Sequence, residues 1–432
     1  MIFILFLLFI SLTFFSFFLF DFDYMAPSFI FCAMYTLSIG CSLINYTYWG
    51  MGDFSILTAS IFLLGAIIFI IAGFAVKQAI SPHNEINVNI NFPEPINVNL
   101  RFAFFITILN VVILILWIHG VKSMMGNYGS FGEMMEAYRL STNYSLNSNV
   151  PTMPGYLSQL EKIPLSCGFI FGFIFINNYV SKKIRKVDVL LVIANLIIYC
   201  AISIYDSNRL NLLGLVAGLT VYYYFLTIGK SQKGNFKIIF KVILTFTILL
   251  LVFYGIRLLI GRSDSQDQGF VEYITKYIGG SIKLFDLFIK QPIHNYSTWG
   301  FETFQSLNGT LRDLGMPIPK SLMAKEFRTY NGINLGNVYT AYRNWYADFN
   351  LRGVIILQFI FALFYNLYYY ILRKSRLSRH KIAIIIYGYM SMALFLHPIE
   401  DWFYSMFVSV GFVTYLIIFP VIYILLTRKI KF

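Results

Sequence analysis

Arginines, carboxylates and aromatic rings are concentrated in GNVYTAYRNWYADFNLRGV, residues 336–354. Its charged side chains are Arg343, Asp348 and Arg352, and tyrosine and tryptophan residues lie between them. Aromatic rings stack on the C–H faces of sugars, and planar charged groups hydrogen-bond to sugar hydroxyls. An arginine fork also holds two phosphate oxygens at once, which a lysine cannot do. The stretch therefore predicts chemistry on a carbohydrate, with Arg343 as the ligand of any phosphate that carries it.

Aromatic side chains near Arg343 are expected to form a wall of the same site. If residues 338–350 form a helix, Tyr339 and Arg343 share a face of it. Tyr339 and Trp345 are then expected to hold sugar or to lie at a membrane interface. Arg352 is interpreted as an interface anchor, and the alternative for Arg343 itself is an interfacial side chain that extends toward water.

Several residues are candidates for a proton acceptor. Glu302 lies in the aromatic segment WGFETF, and His397 lies in LHPIEDW, where two carboxylates follow it closely. The unperturbed pKa of histidine, near 6.5, suits proton transfer, although a lone histidine is more often structural. Asp348 either orients Arg343 or is itself the acceptor. His294 is the weakest candidate.

Three further arginines are candidates for binding an anion. Arg209 lies in a short turn between two apolar runs and follows Asp206. An ionisable residue at a membrane boundary indicates function by default, and the alternative is an Asp206–Arg209 pair that anchors the turn. Arg257 follows another apolar run, and Arg139 lies near two glutamates. Surface anchoring is the commoner role for these two.

The elements that position these residues follow from the composition. Hydrophobic residues make up 58% of the 432 and charged residues only 12%, which indicates a polytopic membrane protein. A span needs about 20 mainly apolar residues, and the uninterrupted runs lack the alternation of a β-barrel, so the spans are helices. The fold class is all-α, with about eleven predicted spans: 2–20, 27–47, 54–76, 102–121, 163–180, 187–205, 210–228, 238–256, 353–372, 382–396 and 403–426.

Basic residues between the spans predict the orientation. Four connectors contain lysine and arginine but no acidic residue, which is typical of the cytoplasmic side: 181–186, 230–241, 373–381 and 427–432. The net charge of +13 is thus mainly a topology signal. It does not indicate nucleic acid as a partner, because no soluble domain organises these short clusters.

This topology divides the chain into three parts. Residues 1–256 form about eight N-terminal spans, 257–352 form a large outer loop, and 353–432 form about three C-terminal spans. A loop of that length usually bears function. Within it, an amphipathic helix is predicted to open after Gly279–Gly280.

Neither a metal nor another cofactor is expected. Asp21 and Asp23 form a D-x-D pattern, a type that binds a divalent ion in some lipid-dependent glycosyltransferases. The predicted topology places the pair on the inner side, and a structural role is favoured. No histidine and cysteine cluster indicates zinc. The cysteines are interpreted as apolar packing residues within spans: Cys32, Cys41, Cys167 and Cys200.

Three segments in order resemble the signature run of the bacterial O-antigen (oligosaccharide repeat unit) polymerases. They are YIGGSIKLFDLF at 277–288, WGFETFQSL at 299–307 and GNVYTAYRNWYADFNLRG at 336–353. The resemblance extends to the SNR turn at 207–209, to the MAPSFIF entry of the second span and to the overall hydropathy. It covers nearly the whole chain, and only the ordered set of motifs is specific.

The resemblance implies a fold similar to that of GT-C-type membrane glycosyltransferases. It implies transfer of a growing glycan from undecaprenyl diphosphate onto a new lipid-linked unit, at the periplasmic face of the bacterial inner membrane. Expected partners are the undecaprenyl-diphosphate-linked oligosaccharide, membrane lipids and a chain-length regulator protein. The resemblance implies that Arg209 and Arg343, which lie in matching motifs, bind the diphosphate. Glu302 also lies in a matching motif.

Four alternatives stay open at this point. An O-antigen ligase would use the same donor with another acceptor. A metal-dependent glycosyltransferase acting on a lipid-phosphate sugar would need Asp21 and Asp23 on the outer side. A lipid-linked oligosaccharide flippase would need charges along its spans, and a non-catalytic scaffold would leave the outer arginines and aromatic rings unexplained.

Overall fold

Most of the chain is helical in the computed structural model, which describes residues 1–80, 93–126, 129–144, 153–227, 251, 254–255, 257, 269–293, 298–322, 324–374 and 380–428. The elements in chain order begin with α1 (Ile2–Leu19), α2 (Pro27–Ile44), α3 (Tyr46–Trp49), α4 (Ile56–Ile80), α5 (Leu100–Met125), α6 (Phe131–Tyr144), α7 (Gly155–Leu160), α8 (Lys162–Val180), α9 (Lys186–Tyr205) and α10 (Leu210–Thr227). They continue with α11 (Phe270–Lys290), α12 (Gln305–Asp313), β1 (Arg328–Tyr330), β2 (Ile333–Gly336), α13 (Tyr342–Lys374), α14 (Lys381–Phe395), a π-helical turn (Phe403–Phe407) and α15 (Val410–Thr427).

Nine helices in the described ranges are long and apolar enough to cross a membrane. They confirm an all-α polytopic membrane protein, and α14 is a shorter apolar helix at the predicted tenth span. The predicted eighth span, 238–256, falls almost wholly outside the described residues, as do the connector 230–241 and His294. The number of eleven spans therefore stays a prediction. All four cysteines are free thiols, and three of them are buried.

The chain divides into two compact units. The first unit comprises Met1–Ile86, Asp267–Lys374 and Ala393–Gly411, and the second comprises Asn87–Gln266, Ser375–Met392 and Phe412–Phe432. In the first unit α13 packs on α4, and α2 packs on both α1 and α11. In the second unit α8 packs on α9 and α10, and α5 packs on α9. The predicted division at residues 256 and 352 concerns sides of a membrane and stays a prediction.

The helix that was predicted to open after Gly279–Gly280 starts earlier in the structure, as part of α11. The helix begins at Phe270, and both glycines are buried within it. A Cβ atom at Gly279 would lie 2.3 Å from the backbone nitrogen of Ser42 on α2. The Ser38 hydroxyl also donates to the Ile278 carbonyl over 2.6 Å. The missing side chain thus permits close contact between two helices, and it does not mark a helix end.

Gly279→Ala is expected to destabilise the first unit, because its Cβ would meet backbone atoms that cannot rotate away. Forced overpacking costs about 1–3 kcal/mol. Gly280→Ala is the matched control, since its nearest atom, the Leu335 carbonyl oxygen, is 3.4 Å from the added Cβ. Thermal unfolding of the purified variants in detergent checks the prediction. Equal unfolding midpoints for the two variants would contradict it.

Helix α13 begins at Tyr342, well before the predicted span start at residue 353. Asn350 interrupts it with a φ of 54°, a backbone conformation that asparagine adopts more readily than most residues. The segment before this kink, residues 342–349, therefore takes its own direction. That segment contributes several of the predicted site residues.

The D-x-D pair lies at the opposite end of α13 from Arg343. Asp23 accepts hydrogen bonds from Tyr369 and Arg373 near the end of the helix, and Asp21 lies 2.8 Å from Lys77. The part of α13 after the kink is about 35 Å long at 1.5 Å per residue. No group of three metal-binding side chains occurs among the described residues.

Candidate functional site

A charged cluster forms where the first turn of α13 meets the segment before β1 and the turn at residues 298–304. We call Glu302, Lys325, Glu326, Arg328 and Arg343 the charged cluster. The Arg343 side chain is 3% exposed. Its Nη1 lies 3.0 Å from Oε2 of Glu302, and its Nη2 donates to Oε2 of Glu326 over 2.7 Å. Lys325 pairs with Glu302, and Arg328 pairs with Glu326 over 3.2 Å. The cluster therefore holds three cations against two carboxylates.

Two aromatic rings form the apolar side of this cluster. The Arg343 guanidinium lies 4.9 Å from the ring centre of Phe288 on α11 and 5.6 Å from that of Tyr339. The Tyr339 hydroxyl donates to the Glu326 carbonyl over 3.1 Å. Tyr339 precedes α13, so the predicted helix over 338–350 is wrong at its start. The expected contact between Tyr339 and Arg343 is present all the same.

The β-hairpin fixes the charged cluster to α11. Arg328 donates to the carbonyl oxygens of Leu287 and Gln291 over 2.8 and 2.9 Å. These carbonyls lie at the end of α11, where basic side chains commonly satisfy unpaired groups. At the hairpin turn, Asn331 donates to the Trp49 carbonyl over 2.9 Å. The hairpin is thus attached at its base and at its turn.

Asp348 holds the turn that carries Glu302. Its carboxylate accepts the backbone N–H groups of Glu302 and Thr303 at 3.0 and 2.7 Å. The sequence predicted that Asp348 would orient Arg343 or accept a proton. In the structure it acts on the backbone of Glu302 instead, so its effect on Arg343 passes through the Glu302 side chain.

Glu302 is ionised in this environment. Burial alone would raise its pKa, but the charges of Lys325 and Arg343 lower the pKa to about 2. A carboxylate with a lowered pKa stabilises the fold fully above its unfolded pKa of about 4.3. That stabilisation is lost as the pH falls toward 2. Glu302 therefore serves as a fixed negative charge while its two cations remain beside it.

His397 lies within an aromatic wall beneath the start of α13. The residue is 1% exposed, its Nδ1 lies 2.9 Å from the Tyr35 hydroxyl, and its carbonyl accepts the Ala341 N–H over 3.0 Å. Burial lowers the pKa of His397 to about 3. The ring is therefore neutral and enclosed, which suits support of the wall better than the predicted proton transfer. The enclosing rings are Phe31, Tyr35, Tyr342, Trp345 and Phe361.

Trp345 is fully buried and does not present a face to a ligand. Its Nε1 donates to Oδ2 of Asp401 over 2.7 Å, and Oδ1 of Asp401 accepts the Tyr404 N–H over 3.1 Å. Core packing uses the whole Trp345 side chain, so the role in binding a sugar stays a prediction that this packing does not favour. Trp345 joins α13 to the segment after α14.

Asp401→Asn is expected to change how stability depends on pH. Burial raises the pKa of Asp401 to about 7, above an unfolded value of about 3.9. A carboxyl group of this kind favours folding at low pH, and that contribution is lost as the pH rises from about 4 to 7. Asparagine does not titrate and keeps an acceptor for Trp345. We expect the unfolding midpoint of the variant, relative to wild type, to be higher at pH 8 than at pH 4.5. A difference that is constant with pH would contradict this.

Three predicted arginines belong to the second unit. Arg139 on α6 has its Nη2 3.7 Å from Oε1 of Glu136. Arg209 is buried in the turn between α9 and α10. Arg257 is also buried, and its Nη2 donates to the Tyr254 hydroxyl over 2.7 Å. The other six predicted site residues lie in the first unit, around the charged cluster or its wall.

Sequence reasoning missed the residues that pair with Arg343 and Glu302. Lys325, Glu326 and Arg328 lie in MAKEFRTY, which follows the GMPIPK turn, and Phe288 lies at the end of α11. Three charges within the four residues 325–328 of the predicted outer loop were the available signal. Their partners, however, are set by the fold of the hairpin against α11.

Comparisons with known proteins identify no relative. No protein-family model matches the chain. No curated protein and no solved structure matches it either.

Proposed function

We propose that this chain is an oligosaccharide repeat unit polymerase. It transfers a growing glycan from undecaprenyl diphosphate onto a new lipid-linked unit at the periplasmic face of the bacterial inner membrane. The proposal rests on the burial and the hydrogen bonding of the Arg343 guanidinium. Among the described residues, its buried Nε has no hydrogen-bond partner, and the only acceptor beside its Nη1 is the Glu302 carboxylate, 3.0 Å away. A buried guanidinium with an unused donor, in the polar segment of α13 that precedes the kink and the apolar part of the helix, suits an anionic group of a membrane lipid.

The geometry of a guanidinium favours phosphate as that anion. Its planar fork donates parallel hydrogen bonds to two oxygens of one phosphate or carboxylate group. Lys325 and Arg328 add positive charge on the same side of the molecule. Buried polar groups without partners are costly, so an anion that accepts a hydrogen bond from Arg343 Nε would bind with a favourable contribution from that donor.

The reaction requires a stabilised leaving group and a proton acceptor. The bond between the anomeric carbon and the phosphate oxygen breaks, and its electron pair goes to the departing diphosphate. A hydroxyl oxygen of the new unit forms the bond to the anomeric carbon and gives up its proton. Arg343 stabilises the negative charge of the leaving diphosphate. Among the predicted acceptors, Glu302 is favoured, because His397 is enclosed and Asp348 is engaged by backbone N–H groups.

The other candidate functions receive less support. The metal-dependent mechanism would need Asp21 and Asp23 near the charged cluster, whereas they lie at the other end of α13. A flippase would need charges along its spans, yet α1 and α2 contain none and α4 contains only Lys77 near its end. A ligase would use the same donor contacts, so the acceptor is what distinguishes it from a polymerase.

A complementation experiment tests the proposed activity. Cells that lack their own polymerase and make the matching repeat unit would receive the wild-type chain, and their surface glycan would be separated by size. We expect a ladder of polymer lengths. Single repeat units attached to lipid A core in these cells would contradict polymerisation. If deletion of the resident ligase removes all attached units, ligation is an activity of that ligase and is separate from the activity of this chain.

A further inference from the structure

The two carboxylates on Arg343 are not bound to it equally. Glu326 accepts a 2.7 Å hydrogen bond from Nη2, and its other oxygen accepts from Arg328. Glu302 lies 3.0 Å from Nη1, yet Nη1 has no hydrogen bond to any described residue. Glu302 is therefore held less directly by Arg343 than Glu326 is, and its own hydrogen bond comes from Lys325. Of the two carboxylates, it is the one that a competing anion separates more easily from Arg343, provided that the same anion also takes the hydrogen bond of Lys325.

The attachment of Glu302 to the protein also permits such a displacement. Asp348 holds the backbone N–H groups of Glu302 and Thr303, so the backbone of the turn is fixed from α13. The Glu302 side chain is 18% exposed, whereas that of Arg343 is 3% exposed. A glutamate side chain can rotate about its own bonds while its backbone stays in place. Its carboxylate can thus leave Arg343 without unfolding the turn.

We propose that the anion binds by exchange with Glu302. A diphosphate oxygen takes the place of the Glu302 carboxylate beside Arg343 and Lys325, and the displaced carboxylate becomes the proton acceptor. This inference rests on the proposed function. Glu326 keeps its bonds to Arg343 and Arg328, so the guanidinium stays in place during the exchange.

The exchange solves a difficulty in the use of Glu302 as a base. With its two cations beside it, Glu302 has a pKa of about 2, which is too low for efficient proton transfer near neutral pH. A bound diphosphate neutralises Lys325 and Arg343, and the pKa of Glu302 then rises. The acceptor O–H bond breaks, its proton moves to a Glu302 oxygen, and the acceptor oxygen forms the glycosidic bond as diphosphate leaves. The base becomes competent only when the donor is bound.

Infrared difference spectroscopy with inorganic pyrophosphate tests the exchange directly. The purified full-length protein in detergent would be measured with and without the probe, in the region of carboxylate stretching. We expect a band pair that reports the displaced carboxylate. It should be absent in Glu302→Gln, shifted in Glu302→Asp and retained in Glu326→Gln. Calorimetry should show that Glu302→Gln binds pyrophosphate about tenfold more tightly than wild type, because an internal competitor is removed.

Three results would overturn the inference. In the first, pyrophosphate does not bind to the wild-type protein. In the second, it binds but produces no carboxylate band pair. In the third, the band pair disappears in Glu326→Gln and persists in Glu302→Gln. The glycan ladder is a separate readout. A normal ladder without the band pair would refute the exchange and leave the proposed function standing. The expected band pair without any ladder would refute the function and leave an anion site with an exchanging carboxylate.

Discussion

Replacement of Arg343 by lysine will reduce polymer formation by about a hundredfold or more. Truncating one partner of a buried, hydrogen-bonded charge pair costs about 2–5 kcal/mol, and a loss of about 2.7 kcal/mol in transition-state stabilisation corresponds to a hundredfold in rate. Lysine keeps the charge but has no planar fork. It cannot hold Glu326 and a phosphate group together in one plane, as the guanidinium does. The measurement is the glycan ladder at matched abundance of the protein in the membrane.

Arg352→Lys is the matched control for this substitution. Arg352 lies on the same helix nine positions later, and its side chain is exposed. We expect a ladder like that of wild type, because a lysine serves equally well as an interface anchor. A full ladder from Arg343→Lys, or equal losses from both variants, would contradict the assignment of Arg343 to the site.

Asp286→Ala is expected to have the largest effect on stability. Asp286 and Lys283 are both fully buried on α11, with the Lys283 Nζ 2.9 Å from the carboxylate. The same carboxylate accepts the Ser55 N–H over 2.8 Å and the Thr58 hydroxyl over 3.1 Å. Removing one partner of a buried ion pair costs about 3–5 kcal/mol, because the other charge remains uncompensated. Thermal or denaturant unfolding in detergent measures the loss.

Two further variants make this second prediction specific. The double variant Lys283→Met with Asp286→Leu should recover much of the lost stability, since it removes both charges. Asp313→Ala is the control, because its side chain is 75% exposed and lies 3.6 Å from Arg312. An exposed pair contributes about 0–1 kcal/mol. Similar unfolding free energies for Asp286→Ala and Asp313→Ala would contradict the role of the buried pair.

The spans were predictable because lipid imposes a simple condition on the sequence. Runs of about 20 apolar residues must be helical to satisfy their backbone hydrogen bonds, and the nine long apolar helices within the described ranges agree with that prediction. The start of α13 was harder to place. Residues 342–349 are helical but too polar to be recognised as part of a span, and the kink at Asn350 separates them from the apolar run.

Helix α11 shows why local glycine signals mislead. A glycine pair often marks the end of an element, but at Gly279 the reason for glycine is the backbone of α2. That reason depends on a residue pair more than 200 positions apart in the chain. No local pattern contains it, whereas the amphipathic character of the segment was visible.

Some residues of the candidate site could be predicted from the sequence, and others could not. Arg343, Tyr339 and Glu302 lie together as the aromatic and charged motifs suggested. Glu326 and Lys325 were not recognised, because the hairpin brings them to Arg343 through contacts with α11. His397 and Trp345 carry chemically versatile side chains, but burial in the wall uses those side chains for packing. Residue type alone does not distinguish these two roles.

Polymerisation by this chain is tested most directly with purified protein and purified undecaprenyl-diphosphate-linked repeat units. Glycosidic bonds formed and undecaprenyl diphosphate released would be quantified together by mass spectrometry, for wild type and Arg343→Lys. We expect one released undecaprenyl diphosphate for each new bond with wild type, and about a hundredfold less of both with Arg343→Lys. Intact monomeric units and no released diphosphate, with folded wild-type protein, would contradict it.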